Sequence, residues 1–105
     1  MTFPLTPPLF DLLVLSVIAK SDSYGYQISQ IVKQVANTKD SALYPILRRL
    51  QEQQFLQTYD QQYQGRNRKY YMITDTGRNY LETLSGEWER YKAIIDQIVN
   101  GGNSK

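Results

Sequence analysis

Between Ser41 and Ile73 a segment with helical spacing passes through a short polar patch into two β-prone runs, and few small folds accommodate that succession. Leu43, Ile46, Leu47 and Leu50 fall at i, i+3, i+4 and i+7, which places all of them on one face of a helix. Ser41, Tyr44, Pro45, Arg48 and Glu52 then share the opposite face. Arg49 sits closer to the core side, within reach of a phosphate or an intramolecular carboxylate. The helix should begin between Thr38 and Asp40. Pro45, one turn in, removes a backbone donor and crowds the carbonyl of Ser41, so a bent or tight first turn is expected.

Beyond this helix, Leu56–Tyr63 and Lys69–Ile73 read as strands around a turn centred on Gly65 and Asn67, both tolerant of positive φ. An isolated hairpin is barely stable in water, so one face must pack on a neighbour while the other stays wet. Arg66, Arg68 and Lys69 sit at the tip and at the start of the second strand. Cations there are well placed for phosphate, where each neutralised contact releases counterions and makes binding salt-dependent. Two plainer readings stand beside this one. The polar helix face is ordinary for a surface helix, and a basic turn also protects a sheet edge from aggregation. An arginine-bearing helix leading into a basic hairpin favours contact with nucleic acid.

The last helix, capped by Thr74 or Asp75 and running to about Val99, carries a second signal. Leu81, Leu84, Trp88, Tyr91, Ile95 and Ile98 recur at alternating intervals of three and four, the seam of a coiled coil. The seam is too short for a free-standing coil, so it is expected to pair across a homodimer interface that other elements help to build. The alternative is a stripe packed on the chain's own first helix. A domain this small offers no obvious internal surface for so long a helix.

That first helix is expected to start near Thr6, whose hydroxyl can cap, with Pro7 and Pro8 in the opening turn. Leu9, Phe10, Leu12, Leu13, Val14, Leu15, Val17 and Ile18 make it apolar nearly all round, so burial on more than one side is expected, part of it by another subunit. Ser21-Asp22-Ser23 then offers turn and cap residues before a second helix, Tyr24–Val35, with Ile28, Ile31, Val32 and Val35 as its core stripe and a break at Asn37-Thr38. No internal repeat is visible, and the terminal GGNSK reads as a disordered end.

The 105 residues suit one core and not a second ligand-binding domain, and 41% apolar content with 21% charged residues sets the chain apart from disordered sequences. A net charge of +2 is modest, so any interaction with nucleic acid must depend on where the cations sit. The sequence contains neither cysteine nor histidine. Disulfides, the usual zinc ligand sets, Ser-His-Asp triads and histidine bases are therefore absent, no cofactor is expected, and an enzyme is disfavoured. Glu82, Glu87 and Glu89, the carboxylates an enzyme subunit would use, lie on the long amphipathic helix where solvated charge is the ordinary explanation. Leu9–Ala19 falls short of the roughly 20 residues a membrane span needs and includes Asp11, and MTFPLTPP has no basic leader; a soluble cytoplasmic protein is expected.

Four motifs in order, YGYQI at Tyr24–Ile28, ALYPILRRL at Ala42–Leu50, GRNRKYYMIT at Gly65–Thr74 and TDTGRNYL at Thr74–Leu81, resemble the PadR family of bacterial transcriptional regulators. The likeness extends from about Leu9 to Val99. It implies a mainly α fold with a two-stranded β-hairpin: a winged helix-turn-helix over residues 1–75, a C-terminal dimerisation helix over 76–100 and a tail over 101–105. It also implies a homodimer on double-stranded DNA that usually represses transcription and lets go when a small molecule binds.

Carried over by position, Tyr24 and Tyr26 would lie near the DNA backbone at the start of the helix before the recognition helix. Ser41, Tyr44 and Arg48 would sit on the recognition helix, and Arg66, Arg68 and Lys69 in the wing. Arg48 is the candidate for base readout, because arginine binds guanine bidentately. Two positions depart from the family's pattern: Ala42 stands where a small hydroxyl residue is common, and Asn67 interrupts a basic run. Trp88 resembles the tryptophan with which some compact members stack planar aromatic effectors, with Tyr91 and the first helix as neighbours. Its plainer reading is an interface anchor. A winged-helix module that binds a protein partner instead of DNA is the other class left open.

Overall fold

A computed structural model describes residues 5–35 and 39–101. The chain forms α1 (Pro7–Lys20), β1 (Ser23–Tyr24), α2 (Gly25–Val32), α3 (Asp40–Glu52), β2 (Leu56–Tyr63), β3 (Arg66–Ile73) and α4 (Asp75–Val99). One antiparallel sheet has the order β1-β3-β2. The fold is mainly α with a winged hairpin and a long C-terminal helix, as the sequence leads one to expect. The third strand is an addition.

The core is built on α1, whose Val14, Leu15 and Ile18 are almost wholly buried among Ile28, Leu43, Leu47, Leu50 and Leu56. Leu13 and Val17 are half-buried, so this helix is covered on most but not all sides. Thr6 occupies the cap position, yet its hydroxyl makes no capping bond. Pro7 and Pro8 supply no N–H to cap, and the Thr6 carbonyl accepts from the Phe10 N–H at 2.9 Å.

Tyr24 lies in β1, and α2 is shorter than the expected Tyr24–Val35. Its buried stripe is Gly25, Ile28, Ser29 and Val32, whereas Ile31 and Val35 are 40% and 42% exposed. The helix closes in tight i→i−3 turns, Gln34 N–H to the Ile31 carbonyl and Val35 N–H to the Val32 carbonyl, which carry Val35 off the buried line. The break expected at Asn37-Thr38 lies outside the described residues.

In α3, Leu43, Leu47 and Leu50 are buried and Ile46 is half-buried, while Ser41, Tyr44, Pro45, Arg48 and Glu52 all face outward. Pro45 is accommodated inside the helix. Gln54 ends the turn that follows in the left-handed region, φ 65°. Phe55 N–H reaches the Leu50 carbonyl and Gln54 N–H the Gln51 carbonyl, the paired bonds of a Schellman closure.

The hairpin turn is Gln64-Gly65, both with positive φ (51° and 78°), as a two-residue loop matched to strand twist requires. Asn67 is not in the turn. It belongs to β3, which begins at Arg66 and not at Lys69, and it pairs with Gln62 across the ladder, side chain to side chain at 2.7 Å.

Thr74 caps α4: its hydroxyl accepts from Gly77 N–H at 2.9 Å and donates to the Gln54 carbonyl at 2.7 Å. Gly77 is obligatory here, because a Cβ would stand 2.2 Å from the Phe55 carbonyl oxygen. The seam of this helix divides. Leu84 is buried, Leu81 and Trp88 pack against the core beside α1, and the Tyr80 ring stacks on Phe55 at 4.5 Å. Farther on, Tyr91, Ile95 and Ile98 are 61%, 39% and 74% exposed, joined by Ile94 and Val99. The core thus does offer a surface to the first half of α4, on α1, and the second half projects away from it. Apart from Gly101, the expected disordered end lies outside the described residues.

Candidate nucleic-acid interface

The start of α2, the outward face of α3 and the hairpin tip enclose an open groove of about 880 Å³. Tyr24, Tyr26, Tyr44, Arg66, Arg68 and Lys69 all line it, so six of the eight residues singled out for DNA contact converge on one concavity. Ser41 and Arg48 do not line it; both are exposed on α3. The closeness of α2 to α3 is set at Gly25, where a Cβ would lie 2.7 Å from the Tyr44 hydroxyl.

Lys69 and Arg68 are held differently. Lys69 Nζ stands 5.5 Å from the centre of the Tyr71 ring two residues along its own strand face. The Arg68 guanidinium carbon is 4.0 Å from the centre of the Tyr24 ring and 3.8 Å from that of Tyr63. A hydrogen bond to the Tyr70 side chain, reinforced by the surrounding tyrosines, raises the Arg68 pKa against the opposing effect of desolvation. Tyr71 lies under the groove, its phenol pushed up mainly by burial and pulled down by the nearby Arg48 charge.

Arg49 takes the carboxylate of the two partners open to it. Its guanidinium meets the buried Asp11 carboxylate at 2.5 Å, and the Tyr80 hydroxyl donates to the other Asp11 oxygen at 3.1 Å. This buried acid joins α1, α3 and α4 and takes Arg49 out of the set facing DNA. Burial, followed by Asp11, raises the Tyr80 pKa.

Of the other lining residues, Gly25, Tyr63, Gln64, Asn67 and Tyr71, none is among the eight expected at DNA, and Tyr63 is the one whose ring meets Arg68. Its place at the end of β2 was legible, but its pairing with Arg66 and its contact with Arg68 depend on strand register and twist. Among the described residues no group of three or more acidic side chains is arranged to hold a metal ion. Glu82, Glu87 and Glu89 are exposed on α4, and Glu89 pairs with Lys92 at 3.2 Å. No helix of the described residues is long and apolar enough to cross a membrane.

A family model described as the transcriptional regulator PadR-like family matches residues 14–83, from the middle of α1 through most of the first half of α4. The chain belongs to the PadR-like family. Among solved structures, this PadR-like chain is similar to smu.1704 from Streptococcus mutans UA159, with 47% identity, a TM-score of 0.92 and coverage of 100% of this chain and 99% of that one. A PadR family transcription regulator from Clostridium difficile R20291 is 31% identical, with a TM-score of 0.78 over 86% of this chain and 97% of its own. An uncharacterised protein from Lysinibacillus sphaericus is 36% identical over 96 residues, 87% of this chain and 88% of the relative.

Proposed function

We propose that this PadR-like protein is a homodimeric, sequence-specific DNA-binding regulator that represses transcription from a pseudo-palindromic operator. The observation that carries the reading is the convergence of the tyrosines of α2 and α3 with the wing cations on one groove beside the exposed face of α3. In this reading α3 enters the major groove and Arg48 reads a base, with Ser41 and Tyr44 alongside it. Tyr24 and Tyr26 meet the phosphate backbone, and Arg66, Arg68 and Lys69 bind phosphates flanking the half-site. Residues 1–75 act as the DNA-binding unit and 76–100 as the dimerisation helix.

The dimer proposal draws support from the exposed apolar row of Tyr91, Ile94, Ile95, Ile98 and Val99, a contiguous patch of the kind that marks an interaction site. Leu81, Leu84 and Trp88 continue the same seam into the core. A planar aromatic effector is proposed at Trp88, whose half-buried indole lies 6.2 Å from the Tyr91 ring where α4 leaves α1.

Substitutions separate the roles. Arg48→Ala should reduce preference for operator over scrambled DNA, whereas Lys69→Ala should weaken binding to both about equally and flatten the salt dependence. Fluorescence anisotropy on the two duplexes measures both effects. Equal losses on both duplexes for Arg48→Ala would remove its base-reading role.

A further inference from the structure

The hairpin tip has no core beneath it. In β2 every residue from Tyr59 to Tyr63 is exposed, and the strand pairing β1 gives β3 stops at Tyr70 and Tyr71. A two-stranded ribbon left to itself in this way is marginal in water, yet its cations must hold a fixed distance from α3 to act with it on one duplex. Side chains supply the missing connection. Tyr24 opens α2, Tyr63 ends β2, and the Arg68 guanidinium lies 4.0 and 3.8 Å from their ring centres. The guanidinium thus meets a ring from α2's opening and a ring from the end of β2 at the same time. The cluster continues across the sheet: Tyr70 meets Tyr24 edge-on at 5.5 Å and stacks with Tyr59 at 5.6 Å, and the Tyr59 hydroxyl donates to Asp22 at 2.8 Å.

We propose that Tyr63 is a positioning residue of the wing, clamping Arg68 against Tyr24 so that the hairpin tip is ordered before DNA arrives. The inference rests on the DNA-binding reading and adds to it a residue that need not touch DNA. With two tyrosine rings against the guanidinium and one hydrogen bond made to Tyr70, its remaining N–H groups are left for phosphate, and Arg66 and Lys69 are carried at a constant distance from α3. A wing ordered in advance does not lose side-chain and loop freedom on binding, and that loss is what weakens association.

The test compares wild type, Tyr63→Ala, Tyr63→Phe, Arg68→Ala and the double variant Tyr63→Ala/Arg68→Ala on a fluorescein-labelled duplex from the chain's own upstream region. Tyr63→Phe keeps the ring and should bind within about twofold of wild type, while Tyr63→Ala should lose roughly three- to tenfold. The double variant should bind no more weakly than Arg68→Ala alone, because the ring acts through that arginine. Losses that multiply, or a Tyr63→Phe loss as large as that of Tyr63→Ala, would overturn the clamp and assign Tyr63 its own contact with DNA.

A spectrum of the DNA-free protein keeps the two readings apart. The Arg68 Nε–H resonance should be shifted upfield by ring currents in wild type and Tyr63→Phe and relax toward the free-arginine position in Tyr63→Ala. An unshifted wild-type resonance overturns the clamp whatever the DNA result. A shifted resonance in a chain that binds no DNA overturns the DNA reading, and the positioning role with it.

Discussion

Replacing Ile98 by aspartate should dissociate the proposed dimer without disturbing the fold of the single chain. Ile98 is 74% exposed and lies beyond the part of α4 that packs on α1. Complete burial of an isoleucine contributes about 1.5–3 kcal/mol, and three-quarters of that leaves roughly 1–2 kcal/mol per chain for a partner to recover. A two-fold interface uses the position twice, which brings the loss to about 2–4 kcal/mol and weakens dimerisation by about 30- to 1,000-fold. Carboxylates brought together across the axis would add to it. Sedimentation equilibrium over a range of concentrations reads the constant directly, and the far-ultraviolet circular dichroism of the variant should match wild type when both are monomeric. An unchanged association constant would refute the reasoning, and so would a wild-type chain that is monomeric throughout.

Other positions make separate demands. Gly77→Ala places a methyl 2.2 Å from the Phe55 carbonyl oxygen, backbone that cannot step aside; it should cost about 1–3 kcal/mol in urea denaturation, as overpacking does. Gln54→Gly relieves a left-handed residue at the end of α3 and should add about 0.5–1 kcal/mol by the same measurement, the left-handed penalty less the entropy of glycine. Alkaline pH should destabilise the chain. Burial raises the Tyr71 phenol above its unfolded value, so its contribution is complete below about pH 10 and is lost as pH rises from there through the folded pKa. Tyr71→Phe, which cannot ionise, should lose less stability than wild type between neutral and strongly alkaline solution, followed by thermal melts.

What could be read from the sequence was local. The four-residue apolar repeat of α3, the Thr74 cap and the end of α4 at Val99 each depend on neighbours a few positions away. Strand β1 could not be seen in advance, because two residues display no period and its partner is far along the chain, Ser23 against Tyr71. Placing Asn67 in the turn followed from its tolerance of positive φ. Gln64 took that position, because a two-residue loop fixes the register Tyr63 opposite Arg66. The α4 seam was legible as a continuous stripe, but a repeat cannot say what covers it; α1 covers only the first half. At the candidate interface the residue types and elements were legible, while the Arg68 clamp and the Arg49–Asp11 pair needed the folded chain to bring them together.

Selective DNA binding by a symmetric pair of chains is what every role proposed above requires. The direct measurement is an anisotropy titration of the 105-residue chain on a duplex from its own upstream region and on a scrambled duplex, each at two salt concentrations. Tighter binding to the upstream duplex, saturation at two chains per site and a marked loss of affinity at the higher salt are the expected results. Weak binding of equal strength to both duplexes would contradict the account and leave a winged fold whose partner is a protein.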